Sequence, residues 1–139
     1  MKSLISYINE WQLDDKSRKK IKKKKYKYTP KNKYELQKLT SKRYIDSSDI
    51  VLNDILTTDV EDMSYLFLDY HDLYSVDVND WKTGNVKTFE GMFKGCENLT
   101  SIKGLENWTI NKNANLKNMF KGCKDEIIPS WYDRNKWED

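Results

Sequence analysis

Val60-Glu61-Asp62-Met63-Ser64-Tyr65-Leu66-Phe67 is echoed by Val86-Lys87-Thr88-Phe89-Glu90-Gly91-Met92-Phe93, and Leu116-Lys117-Asn118-Met119-Phe120 follows as a shorter third copy. Phe93 comes 26 residues after Phe67 and Phe120 comes 27 after Phe93, while Trp81 to Trp108 and Cys96 to Cys123 are also 27 apart. Three residue types keeping one period point to units that bury their apolar faces against their neighbours, an arrangement whose usual output is a binding surface.

Within a unit the apolar period changes. Val60, Met63 and Leu66-Phe67 fall on one side of a short helix, and Leu73, Val76 and Val78 then approach strand alternation. The next unit does the same with Val86, Phe89 and Met92-Phe93, then Leu99, Ile102 and Leu105. Each unit is therefore predicted as a short helix followed by a strand. Gly95 and Gly122, each before a cysteine, mark turns, and Trp81 and Trp108 are repeated packing residues. Upstream, Ile50, Leu52 and Ile55 form a strand-like unit after the polar turn Asp46-Ser47-Ser48-Asp49.

The expected fold class is α/β, a short leucine-rich-repeat-like solenoid with a helical, basic N-terminal element. In 139 residues there is room for one modest core. Residues 1–45 are assigned as a basic helical leader and N-terminal cap, with the stripe Leu36, Leu39 and Tyr44 of a helix beginning at Lys33 covering one end of the core. Residues 46–139 are assigned as a repeat domain with a C-terminal cap built around Pro129-Ser130-Trp131-Tyr132, where Trp131 or Trp137 shields the last layer.

A net charge of +3 conceals a bipolar chain: residues 1–45 hold 15 Lys/Arg against 4 Asp/Glu, and residues 46–139 hold 10 against 18. The acidic residues Asp62, Asp69, Asp72 and Asp80 are the candidate protein-binding set. Lys19, Lys20, Lys22, Lys23, Lys24 and Lys25, with Tyr26 and Tyr28 for stacking, are the candidate nucleic-acid-binding set. The same basic run also reads as a solubilising face or linker.

Catalytic signatures are sparse. His71 is the only histidine and there is no CxxC motif, so neither a zinc site nor another metal site is expected. Cys96 and Cys123 read as free structural thiols at equivalent repeat positions rather than a disulfide framework or nucleophiles. No phosphate-binding or dinucleotide-binding glycine pattern occurs, and no cofactor is expected. No apolar run is long enough to span a membrane and the first ten residues lack signal-peptide character, so the expected location is cytoplasmic.

Leu52 to Ile55, Val60 to Phe67, Val86 to Leu99 and the pair Asn107-Trp108 resemble the BspA-like leucine-rich-repeat family, also described as a mycoplasma-type repeat of unknown function, over roughly residues 26–132. The resemblance implies a curved array with parallel strands lining one face. Many members of that family are bacterial surface or adhesion proteins, and short forms occur in mobile-element and phage contexts. The functional expectation is a non-enzymatic intracellular protein-binding module, in its specific form a phage or mobile-element inhibitor of a host nucleic-acid-binding protein. Direct nucleic-acid binding through the basic leader is the alternative. Oligomeric state is left open.

Overall fold

The structure, a computed structural model, describes residues 25–139. Helix α1 (Lys33–Asp46) opens the described chain and is followed by strands β1 (Asp49–Val51), β2 (Ser75–Asp77) and β3 (Ser101–Lys103), two 3-10 turns (Leu105–Asn107 and Asp125–Ile127) and a short helix α2 (Arg134–Trp137). The strands form one parallel sheet in the order β1-β2-β3, with Ile50 beside Val76 and Val76 beside Ile102. That register repeats the 26-residue spacing in the sequence. Ile50 and Val76 point inward while Asp49, Val51, Ser75 and Asp77 stand on the outer face, as strand alternation requires.

The expected leucine-rich-repeat-like solenoid of helix-strand units is not formed. The described residues make a small α/β domain with three parallel strands and the two α-helices α1 and α2. Where helices were expected, at residues 60–67 and 86–93, there are consecutive tight turns. The cause lies in the backbone. Tyr65 (φ 56°), Asp69 (φ 57°), Gly91 (φ 58°), Gly95 (φ 79°), Asn118 (φ 55°) and Gly122 (φ 85°) are all left-handed, and a right-handed helix cannot pass through such a residue every four positions. The apolar spacing that imitates a helix comes from paired turns, each returning a side chain to the core.

Backbone bonds between neighbouring turns replace the missing helices. Met63, Tyr65, Phe67 and Asp69 donate their N–H groups to the carbonyls of Thr88, Glu90, Met92 and Lys94, and Phe89, Gly91, Phe93 and Gly95 donate to Asn115, Lys117, Met119 and Lys121. The core between this ladder and the sheet holds Phe67, Phe93 and Phe120, all fully buried. Their rings are parallel to within 3°, with centroids 4.9 Å apart for the first pair and 5.6 Å for the second. A second column stacks Trp81 on Trp108 at 6.3 Å. The indole N–H groups of Trp81, Trp108 and Trp131 donate to the carbonyls of Leu52, Val78 and Leu105, so each ring satisfies its polar atom on the preceding layer.

Both ends of the core are covered. Asn32 caps α1 by accepting from the Glu35 N–H, and Leu36 is buried against the first layer. At the far end Phe120 meets Tyr132 edge-on at 4.9 Å. Arg134 fastens this end by donating to the carbonyls of Phe120 and Cys123 while pairing with Asp125 and Glu138.

Arg43 and Asp54 join α1 to the chain after β1 through two 2.7 Å hydrogen bonds, and the Arg43 guanidinium also donates to the Val51 carbonyl. The hydrogen bond from Arg43 lowers the Asp54 pKa, and its burial only partly opposes the effect. A carboxylate with a depressed folded pKa adds stability above its unfolded pKa of about 3.9, and this stability is lost as pH falls through the folded value. Denaturation midpoints followed from neutral to acid pH should therefore decline less steeply in Asp54→Asn than in the parent chain. Superimposable slopes would contradict a stabilising role for the pair.

Candidate functional site

The groups with most chemical potential are committed to structure. Cys96 and Cys123 are free and buried, and their Sγ atoms lie 3.0 Å from the carbonyls of Phe67 and Phe93, to which they donate. Burial pushes both thiols up to about 12, which keeps them protonated and unreactive near neutral pH. Native protein should accordingly react slowly with a thiol reagent such as a disulfide chromophore, releasing two equivalents per chain only on unfolding. Rapid labelling of the native chain would contradict the burial.

His71 is exposed, with Nδ1 3.1 Å from Glu97 Oε1. The backbone N–H of its neighbour Asp72 donates to the Tyr44 hydroxyl. Among the described residues no group of three His, Cys, Asp or Glu side chains is arranged to hold a metal ion, and no helix is long and apolar enough to cross a membrane.

The four candidate acidic residues do different jobs. Asp62 accepts from the Ser64 N–H and hydroxyl and faces Lys33 at 3.9 Å. Asp69 is exposed in a left-handed turn with its carboxylate lying over Gly95. Asp80 donates its N–H to Asn53 and pairs with Lys25 at 3.6 Å. Asp72 is exposed and borders a cleft of about 320 Å³.

Of the candidate nucleic-acid set, Lys19, Lys20, Lys22, Lys23 and Lys24 lie outside the described residues, as does most of the expected leader helix. Lys25 is exposed, but Tyr26 is buried. Tyr28 is half-buried, bridges to Ile55 and lies under the Arg43 guanidinium.

The cleft beside Asp72 is lined by Tyr44, Ile45, Asp46, Ser47 and Ser48. Its floor is held firmly. Tyr44 stacks on Tyr70 with centroids 3.9 Å apart, Tyr70 shares a hydrogen bond with Ser41, and the Tyr74 N–H donates to the Ser48 carbonyl. On this support Ile45, 82% exposed, lines the cleft with Asp46 and Asp72, and Tyr74, 47% exposed, adjoins it through its N–H bond to the Ser48 carbonyl. An apolar centre with a charged rim has the anatomy of a protein-contact patch.

Asp72 is the one candidate acidic residue that borders this patch, and Ile45 and Tyr74 were not among the sequence candidates. A signal existed for the first. Leu36, Leu39 and Tyr44 define the inward stripe of α1, and Ile45, one residue further on, falls off that stripe. Tyr74 gave none, because it shares the alternation phase of the inward Val76 and Val78, and it faces out because Leu73 takes the core position at the bend before β2.

No curated protein and no solved structure matches the chain. A family model described as "Mycoplasma protein of unknown function, DUF285" matches residues 19–133. This match corrects the resemblance to the BspA-like leucine-rich-repeat family, and the descriptions leucine-rich repeat and solenoid fall with it. Spanning most of the 139 residues, it shows that the chain belongs to the DUF285 family.

Proposed function

We propose that the chain is a non-enzymatic protein-binding module whose contact surface is centred on Ile45 and Tyr74 and rimmed by Asp46 and Asp72. The observation that carries this reading is the 82% exposure of Ile45 beside a hydrogen-bonded, aromatic-stacked floor. An isoleucine held in water gains nothing for the fold, whereas burial of its side chain by a partner is worth about 1.5–3 kcal/mol. The fitting partner offers an apolar side chain or socket surrounded by Lys and Arg.

In its specific form the module is an inhibitor that covers the basic surface of a nucleic-acid-binding host protein. The excess of 18 Asp/Glu over 10 Lys/Arg in residues 46–139 supports that form through charge complementarity. A cytoplasmic setting suits the two buried free thiols. The test is a photoreactive amino acid at position 45 in the full chain, with one at Gly84 as a control on an open surface. Position 45 should cross-link to one protein, Asp72→Lys should abolish the cross-link, and added salt should weaken it. Equal cross-linking from both positions, or none from 45, refutes the surface assignment.

A further inference from the structure

The two edges of the sheet are treated differently. At β1 three of the four outward backbone groups are occupied: Arg43 donates to the Val51 carbonyl, and the Ser47 hydroxyl exchanges hydrogen bonds with the N–H and carbonyl of Asp49. At β3 they are not. The Val78 N–H donates to the Lys103 carbonyl and Val76 lies opposite Ile102, so parallel alternation turns the N–H and carbonyl of Ile102 away from β2. Among the described residues no backbone group pairs with Ile102 on that open side.

The chain does return there, yet it cannot close the ladder. Pro129 stands 26 residues after Lys103, the place whose N–H would reach the Ile102 carbonyl, and proline has no N–H to give. The 3-10 turn Asp125–Ile127 precedes it, and a cleft of about 320 Å³ remains between β3 and residues 126–129. An unpaired donor and acceptor on a strand edge are what an added peptide strand recognises. The cleft is lined by two carboxylates, Glu106 and Glu126, and by no lysine or arginine.

We infer that the open edge of β3 takes up an extended, lysine- or arginine-bearing peptide from a partner protein as a fourth strand. The backbone of Ile102 supplies the pairing and the exposed Glu126 favours a basic side chain, while Glu106 is already engaged by Ser130. This site lies on the edge opposite the β1 side, where Ile45 stands, so either can fail without the other.

The experiment uses the full chain and a fluorescent octapeptide of alternating valine and lysine, compared with the same peptide N-methylated at every residue, which keeps its charge and loses its donors. Binding should weaken about tenfold or more on methylation, and about threefold or more in Glu126→Lys. Amide NMR shifts should centre on residues 100–104 and 126–129. Equal binding of the two peptides, no binding of the unmethylated one at millimolar concentration, shifts confined to the Ile45 and Tyr74 region, or self-association of the chain in place of peptide uptake would each overturn the assignment.

Discussion

Phe93→Ala is expected to lower the unfolding free energy by about 3–5 kcal/mol, among the largest effects available to one substitution in this chain. Phe93 is the middle ring of the buried column, stacked on Phe67 at 4.9 Å and on Phe120 at 5.6 Å. Truncation removes both contacts and leaves a cavity that the hydrogen-bonded turns on either side cannot fill, because Phe67 donates to the Met92 carbonyl and Phe93 to that of Met119. A domain of this size has a total stability of about 5–15 kcal/mol, so the variant should be largely unfolded at moderate denaturant concentration. Ile45→Ala should shift the denaturation midpoint little, by about 0.5 kcal/mol or less, since the side chain is already in water. Equal losses in the two variants would dismiss the buried aromatic column as the source of stability.

Gly104→Ala should cost about 2–5 kcal/mol, the sum of strain in a left-handed backbone and of steric overlap. Gly104 has φ 105°, and an added Cβ would lie 2.5 Å from Asn79 Cα and 2.8 Å from Asn79 N. Both are backbone atoms of the neighbouring layer, fixed by the Val78 N–H bond to the Lys103 carbonyl. No side chain can swing away to relieve the contact. Gly84 is the internal comparison, with nothing within 4 Å of the same added atom, and Gly84→Ala should leave thermal unfolding nearly unchanged. A wild-type melting temperature for Gly104→Ala would mean that β2 and β3 are not in the register described.

The periodic part of this fold was readable before the structure because burial and hydrogen bonding enforce the period. Stacked rings need nearly equal spacing, and Phe67 and Phe93 are 26 residues apart, as are Ile50, Val76 and Ile102 in the parallel register, with Phe120 following Phe93 after 27. The conformation between those points was not readable. Gly95 and Gly122 announce turns, but the equivalent position in the first layer carries Asp69, and the left-handed position of Gly91 is Tyr65 and Asn118 in the layers beside it, and a left-handed tyrosine or aspartate gives no compositional warning. Apolar residues at helical intervals were therefore read as helices, and with them went the leucine-rich-repeat solenoid.

The candidate site was less legible still. Asp72 could be nominated for its charge, but a contact patch depends on which apolar residues the fold leaves outside. Ile45 is exposed only because α1 turns Leu36 inward and Tyr44 onto Tyr70. Tyr26, a candidate for stacking on bases, is buried instead, where the Lys27 and Tyr28 N–H groups donate to the Asp54 carbonyl and the Leu56 N–H to that of Tyr28.

The most direct test of the proposed protein-binding role is hydrogen exchange of the full chain, alone and bound to the protein captured from position 45. Binding should slow exchange at residues 44–48 and 72–75 and leave the phenylalanine turns, already protected by their interlayer bonds, unchanged. Protection confined to other surfaces, with residues 44–48 and 72–75 exchanging as in the free chain, would contradict that role.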